Sequence, residues 1–276
     1  MVPNSDRVSR AMQWNFIQDR IEDDALLLDC RSEAAYEKGT IKGAVGAALI
    51  KKPIGSGPKS QCFAAGLVEK VQTLAAKKSS ILCFDEGEGM FASRMTWMLQ
   101  GAGLKNVHML GMRFDDLPAA GIGKGTGQIE VVPADSGETL RGIATVGMLQ
   151  KELTRIQLID ARTPEEYEGI LPRMVNPEPG SLCGRIPGSV NWDWRGLYGP
   201  DGHLKNKMAV IMDIKRFGFM QERPTVIYDF NGARSCTAAL VLSNCGYRQV
   251  SVYMGSWMEW RKTSLPKQNL KEFQLV

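Results

Sequence analysis

The chain has 276 residues, a formal net charge of +4, 43% hydrophobic residues and 23% charged residues. This composition is typical of a folded globular protein with one large or two small domains. Acidic and basic residues are interspersed without long runs of one sign, so the charge pattern favours neither a nucleic acid nor a membrane surface as a partner. Apolar stretches are also too short to predict a membrane span.

The cysteine and histidine content excludes two further classes of protein. The chain has six cysteines and two histidines. It contains no Cys-x-x-Cys pair and no zinc-ligand spacing, so we predict no metal site, no cofactor and no disulfide framework. The first residues, MVPNSDRVSRAMQWNF, hold no apolar stretch of signal-peptide length. We therefore expect a reducing compartment and a cytoplasmic protein.

The chain contains two similar halves. LLLDCRSEAAYEKGTIKGAVGA, which begins at Leu26, resembles LIDARTPEEYEG, which begins at Leu158, together with the later GRIPGSVN. Further along, SILCFDEGEGMFASRMTWMLQGAGLKNVHMLGMRF resembles TVIYDFNGARSCTAALVLSNCGYRQVSVYMGSWMEW, and Asp85 matches Asp229. Long blocks that recur in the same order indicate an internal repeat, so each half should fold in the same way.

Short apolar runs predict three main strands in each half. These strands are expected at 25–30, 80–84 and 106–110, and at 157–160, 225–228 and 249–253. Helical spacing predicts a helix at 91–100 and another at 234–244, for which Gly246 suits the C-terminal cap. Apolar strands that alternate with helices indicate a buried parallel sheet, so we predict an α/β fold for each half.

Glycines and prolines mark the boundary between the halves. They interrupt any periodic pattern in LPAAGIGKGTGQIEVVPADSGE and so indicate a linker. We predict a first domain at 1–125, a linker at 126–138 and a second domain at 139–276. The second half also contains a Pro- and Gly-rich insertion, ILPRMVNPEPGSLCG, which predicts a loop.

These motifs resemble those of a known family. The pattern D-x-R-x-x-x-x-Y-x-x-G followed by G-x-I-x-G-A/S resembles the rhodanese signature. GSWMEW resembles the closing segment of tandem thiosulfate and 3-mercaptopyruvate sulfurtransferases, and FASRMTWML resembles the matching helix of their non-catalytic first domain. The resemblance implies two tandem rhodanese-like domains, each with a parallel sheet flanked by helices. It also implies transfer of sulfane sulfur to a thiol or to cyanide.

The resemblance places the active loop in the second domain. In that family a catalytic cysteine ends a strand and begins this loop, and here Asp229 stands at its position. The loop continues through Phe230, Asn231, Gly232, Ala233, Arg234 and Ser235. Asp85 stands at the equivalent position of the first domain, which is catalytically inactive in the family. An aspartate cannot form a persulfide, so we predict a catalytically impaired or inactive protein with an anion-binding or regulatory role.

The chemistry of such a loop follows from its backbone. Successive N–H groups in a short glycine-containing turn, together with the start of a helix, form a site for an anion. A cysteine there is held as a thiolate. We expect Asp229 to be ionised at neutral pH and to fill the site with its own carboxylate. A purely structural role for Asp229, which would only satisfy the charge of the loop, stays open.

Two other cysteines define an alternative, a working sulfurtransferase with a displaced nucleophile. Cys236 lies in the predicted helix after the loop, and Cys183 lies in the insertion. A small or cysteine side chain at the position of Cys236 resembles a packing residue of the family, so a buried thiol is expected there. Cys183 is expected in an exposed loop, where it could accept sulfur.

Arginines are the expected ligands for an anionic substrate. By resemblance, arginines near Arg173 bind the anionic group of mercaptopyruvate or thiosulfate, because guanidinium suits bidentate recognition of such groups. We therefore predict Arg173 and Arg185 as substrate ligands, while a solvated loop arginine stays open for Arg173. A structural role is the stronger interpretation for Arg185, which begins the GRIPG turn. Arg234 is expected to pair with Asp229 or to face a ligand. The expected partner is a small sulfur-containing anion or a thiol protein, and we expect a monomer.

Overall fold

The structure is a computed structural model that describes residues 17–18, 21, 24–48, 54–111, 113–170 and 184–268. The chain divides into two compact units, residues 1–141 and 142–276, called here the first and second units. Each unit contains a five-stranded sheet. The prediction of an α/β fold with a parallel sheet in each half is confirmed.

The first unit contains seven described strands and three α-helices. The strands are β1 (Ile17–Gln18), β2 (Ala25–Asp29), β3 (Thr40–Ile41), β4 (Val45–Gly46), β5 (Ser80–Phe84), β6 (Val107–Leu110) and β7 (Ile122–Gly123). The helices are α1 (Glu33–Lys38), α2 (Pro58–Ala75) and α3 (Met90–Gly101). The main sheet has the order β1-β6-β5-β2-β4, and all of its neighbouring strands are parallel. Strands β3 and β7 form a separate antiparallel pair.

The second unit repeats this arrangement. Its described strands are β8 (Ile143–Ala144), β9 (Gln157–Asp160), β10 (Val190–Asn191), β11 (Thr225–Tyr228) and β12 (Val250–Tyr253). Its described helices are α4 (Val146–Glu152), α5 (Pro164–Glu168), α6 (Lys207–Arg216), α7 (Ala233–Asn244) and α8 (Ser256–Trp260). The sheet order β10-β9-β11-β12-β8 is that of the first unit when its strands are replaced by their sequence equivalents. All neighbouring strands are again parallel.

Burial explains why the apolar runs form the central strands. Every residue of β5 and of β11 is buried, as expected for parallel strands covered on both faces. Helix α7 is buried from Ala233 to Leu242. It ends at Asn244 with Cys245 as its C-cap, and Gly246, which we predicted as the cap, follows directly with a φ of 96°. There the N–H of Gly246 donates to the carbonyl of Ser243 (3.2 Å), a bond that closes the last turn.

The segment at 126–138, which we predicted as a linker, is hydrogen-bonded to the first unit. The N–H of Ile129 donates to the carbonyl of Gly46 at 2.7 Å, and the N–H of Ala134 donates to the carbonyl of Cys62 at 3.0 Å. The division between the two compact units falls after Arg141. The structure therefore groups this segment with the first unit.

The parallel sheet of the second unit brings the ends of its central strands to one edge. The segments that follow β9, β11 and β12 therefore meet there. After β9, the guanidinium of Arg162 donates to the carboxylate of Asp160 (2.6 Å) and to the carbonyl of Gly184 (2.9 Å). This pair fixes the turn next to the loop that follows β11.

Candidate functional site

The carboxylate of Asp229 lies inside the loop between β11 and α7. Its Oδ1 accepts hydrogen bonds from the N–H groups of Asn231 (2.6 Å) and Gly232 (2.9 Å). Its Oδ2 accepts from the N–H of Ser235 at 2.7 Å. Asp229 is fully buried. We call this arrangement of Asp229 and the three N–H donors the carboxylate seat.

The geometry of the seat depends on Gly232. This residue caps the start of α7 with a φ of 87°, a left-handed conformation that favours glycine. A Cβ added at this position would lie 2.7 Å from the carbonyl oxygen of Met254. Gly232 offers no side chain to cap the helix, so the Asp229 carboxylate accepts the N–H groups that begin α7.

Electrostatics keep Asp229 ionised. Burial acts to raise the pKa of its carboxyl, but the positive charge of Arg234 and the hydrogen bonds from the Ser235 and Asn231 N–H groups outweigh burial. The net effect is a lowered pKa, in line with our expectation from the sequence. At neutral pH the seat therefore holds a negative charge that belongs to the protein itself.

Arg234 forms its hydrogen bonds with a residue that the sequence did not single out. Its Nη1 and Nη2 donate to Glu166 Oε2 (2.6 Å) and Oε1 (3.1 Å), and both side chains are buried. Of the two roles expected for Arg234, hydrogen bonding to Asp229 is not observed. Its charge nevertheless stabilises the Asp229 carboxylate.

Glu166 is itself fixed by the start of α5. Its side chain accepts a bond from the N–H of Thr163 (3.2 Å), while the Thr163 hydroxyl accepts from the N–H of Glu166 (3.3 Å), which forms a capping box. Burial acts to raise the pKa of Glu166, but Arg234 outweighs it and lowers the pKa. A Thr-x-x-Glu spacing signals this cap from sequence, but it does not reveal Arg234 as the partner.

The start of α8 holds the backbone of the loop. The N–H of Asp229 donates to Ser256 Oγ at 3.1 Å. In return, the N–H of Trp257 donates to the carbonyl of Asp229, and that of Met258 to the carbonyl of Phe230, each at 3.0 Å. The GSWMEW segment therefore contacts the seat directly.

The first unit has an equivalent seat around Asp85. Oδ1 accepts from the N–H groups of Gly87 (2.9 Å) and Gly89 (3.0 Å). Oδ2 accepts from those of Phe91 (3.0 Å) and Ala92 (3.1 Å). Both loops that follow the central strands thus enclose a carboxylate in the same manner.

The two seats differ in their surroundings. Phe91, the second residue of α3, stands at the position that matches Arg234, the second residue of α7, and Ala35 stands at the position that matches Glu166. The first unit therefore has no equivalent of the buried Arg234–Glu166 ion pair. The two seats therefore differ in whether an arginine at the start of the following helix is held in a buried ion pair.

The remaining candidate residues have mixed outcomes. Cys236 is fully buried, with its Sγ 3.0 Å from the carbonyl oxygen of Gly232, which agrees with the expected packing role. The guanidinium of Arg185 lies 4.4 Å from the ring centre of Tyr167. Its role as a substrate ligand stays a prediction. Arg173 and Cys183 lie outside the described residues.

The donor set of the seat suits an anion rather than a cation. Three backbone N–H groups donate to the carboxylate, and the charge of Arg234 acts on it from nearby; N–H donors and a guanidinium do not coordinate metals. Among the described residues, no cluster of three or more His, Cys, Asp or Glu side chains could hold a metal ion. None of the described helices has both the length and the apolar character that a membrane crossing requires.

Comparison with protein-family models identifies the class of protein that has this repeated fold and these two loops. The model of the rhodanese-like domain matches residues 15–113 and 145–263. The chain therefore belongs to the rhodanese-like family and contains two copies of its domain.

Individual relatives are sulfurtransferases. The chain is 26% identical to a thiosulfate sulfurtransferase of Azotobacter vinelandii over 254 residues, which cover 85% of this chain and 87% of the relative. It is 27% identical to a 3-mercaptopyruvate sulfurtransferase of Escherichia coli (strain K12) over 197 residues, which cover 69% and 68%. A crystal structure of a probable thiosulfate sulfurtransferase covers 90% of this chain and 99% of its own, with a TM-score of 0.60 and 24% identity. That last likeness supports the fold.

Proposed function

We propose that this chain is a tandem rhodanese-like protein in which Asp229 occupies the position of the catalytic cysteine, so that its active loop does not transfer sulfur. The relatives named above as thiosulfate and 3-mercaptopyruvate sulfurtransferases support the family part of this proposal. One observation supports the other part, that the active loop does not transfer sulfur. The Asp229 carboxylate accepts the N–H groups of Asn231, Gly232 and Ser235, the donors that would hold a cysteine thiolate.

The chemistry of a carboxylate explains the expected inactivity. A thiolate attacks the sulfane sulfur of a donor and carries it as a persulfide, which a thiol or cyanide then takes up. The carboxylate of Asp229 has no sulfur to carry. It also repels a second anion at the same place and uses the N–H donors that such an anion would need. The role that remains is regulatory, with the anion site filled from within.

The proposal is tested by sulfur transfer from thiosulfate to cyanide and from 3-mercaptopyruvate to a thiol. The proteins compared are the chain as written, Asp229→Cys, and the matched control Asp85→Cys. We expect Asp229→Cys to exceed the chain as written by at least about 100-fold, since a missing nucleophile costs several orders of magnitude. Asp85→Cys should stay inactive because its seat lacks the Arg234–Glu166 pair. Full activity of the chain as written would overturn the proposal.

The alternative is a working sulfurtransferase that uses Cys236 or Cys183. In its favour, the Cys236 thiol lies directly beneath the loop, 3.0 Å from the carbonyl of Gly232. Its complete burial opposes this role, because a donor has to reach the sulfur. If the chain as written transfers sulfur and Cys236→Ala or Cys183→Ser abolishes that transfer, the nucleophile has moved and this alternative is correct.

We further propose that the protein is a cytoplasmic monomer with a small sulfur-containing anion or a thiol protein as its partner. All five cysteines within the described residues are free thiols, which supports a reducing environment. Arg173 and Arg185 remain the proposed ligands for the anionic group of such a partner. Light scattering of the purified chain measures the oligomeric state.

A further inference from the structure

Ser256 has an unusual backbone conformation at the start of α8. Its φ is 51°, in the left-handed region that residues other than glycine rarely adopt, and its side chain is fully buried. Such a conformation costs on the order of 1 kcal/mol and persists only where the surroundings enforce it. The contacts of Ser256 therefore need an explanation.

Both hydrogen-bonding functions of the Ser256 hydroxyl are used. The hydroxyl donates to the carbonyl of Tyr253 at 2.8 Å. Because this bond fixes the direction of the O–H, a lone pair of Oγ is available to accept the N–H of Asp229 at 3.1 Å. The next residue, Trp257, donates its N–H to the carbonyl of Asp229 at 3.0 Å. Ser256 and Trp257 together thus form hydrogen bonds with both the N–H and the carbonyl of residue 229.

The same segment also limits where the rest of the loop can lie. A Cβ on Gly232 would meet the carbonyl oxygen of Met254, two residues before Ser256. The N–H of Met258 donates to the carbonyl of Phe230. The loop therefore rests directly on residues 254–258, and its backbone cannot shift without breaking these contacts.

We infer that Ser256 is the positioning residue of the seat. Its hydroxyl fixes the backbone of residue 229 so that the side chain there meets the N–H groups of Asn231, Gly232 and Ser235. The inference rests on the proposed function, since it treats the seat as a thiolate site in which Asp229 now stands. In the sequence of the first half, methionine 112 stands where the second half has Ser256.

The experiment titrates a thiol placed in the seat. In Asp229→Cys, the thiolate absorbance near 240 nm is followed against pH, and the signal of the chain as written is subtracted to remove the other cysteines. Ser256→Ala and Ser256→Gly are then added separately. Both remove the hydroxyl, but glycine adopts the positive φ without strain. Ser189→Ala is the matched control, because Ser189 is also buried and its hydroxyl donates to the carbonyl of Ile186.

We expect the thiol at position 229 to have a pKa below its ordinary value. Both Ser256 variants should raise that pKa by about 0.5–1 unit, since the thiolate then meets its donors less well. Ser189→Ala should leave it unchanged. Urea unfolding verifies that each variant is folded, and Ser256→Gly should be the more stable of the pair.

Three results would overturn the inference while leaving the proposed function intact. The first is a depressed pKa that neither Ser256 variant moves. The second is a shift in Ser256→Ala alone, which would assign the effect to backbone conformation. The third is an equal shift in Ser189→Ala. An ordinary thiol pKa with no sulfur transfer in Asp229→Cys itself would instead contradict the proposed function, and the inference would fall with it.

Discussion

At the scale of single residues, Asp229 links the stability of the second unit to pH. Its carboxylate is buried and accepts three N–H donors, and its pKa is lowered. A carboxyl with a lower pKa in the folded protein adds stability that is complete above its unfolded pKa of about 4. That stability is lost as the pH falls through the lower, folded pKa. The stabilising effect of the charge is therefore greatest at neutral pH and absent in strong acid.

We predict that Asp229→Asn lowers the free energy of unfolding by about 2 kcal/mol or more at pH 7, since an amide NH₂ group faces donors where the carboxylate accepted hydrogen bonds. The difference from the unmodified chain should shrink below about pH 4, as Asp229 becomes protonated in that chain. Urea unfolding at several pH values measures it. The exposed Asp115→Asn is the control, expected within about 0.5 kcal/mol. A difference that stays constant with pH would show that the charge does not matter.

At the scale of elements, the Arg234–Glu166 pair joins the start of α7 to α5. Both partners are buried, so removal of either leaves the other as an uncompensated charge. The first unit has Phe91 and Ala35 at the positions that match Arg234 and Glu166. The chain thus supplies its own apolar replacement for the ion pair.

We predict that Glu166→Ala and Arg234→Met each destabilise the second unit by about 3–5 kcal/mol. The double variant should lose at least about 2 kcal/mol less than the sum of the two, because no unpaired charge remains. Urea unfolding followed by tryptophan fluorescence gives all four values of the cycle. Arg234→Met should also raise the pKa of Asp229, since its stabilising cation is gone. Simple additivity in the cycle would mean that the two side chains do not interact.

The sequence predicted the elements that depend on local pattern, and it failed where partners are distant. The strand at 225–228 follows from an apolar run and is present, and the glycine expected to close α7 lies one residue after its C-cap, with the positive φ that favours glycine. The two-residue strands, such as β10, are too short to show any periodicity. Glu166 was missed because its partner lies 68 positions away in the chain, and a helical Glu-Glu pair is typical of a solvated surface.

At the scale of the whole molecule, the repeat predicted more than any single motif did. Asp85 and Asp229 were matched by sequence alone, and both carboxylates accept the N–H groups of the loops that follow them. The repeat could not show the differences between the seats, since these arise from side chains that meet only in the folded units. The two units share one strand order but differ in the side chains around the buried carboxylate. This is expected for a duplicated domain whose two copies have diverged.

The last prediction is that each carboxylate seat stabilises only its own loop, which native-state hydrogen exchange of the loop amides can measure. In the chain as written, loop amides that donate to Asp85 or to Asp229 should be protected, although loop amides usually exchange quickly. Those amides belong to Gly87, Gly89, Phe91 and Ala92 in the first unit, and to Asn231, Gly232 and Ser235 in the second. Asp229→Ala should speed exchange of the second set by at least about tenfold, since bonds to a charged acceptor contribute about 1.5–3 kcal/mol each. The first set should not change, and Asp85→Ala should give the reverse pattern. If either variant speeds the exchange of both sets of amides, each carboxylate stabilises the molecule as a whole rather than its own loop.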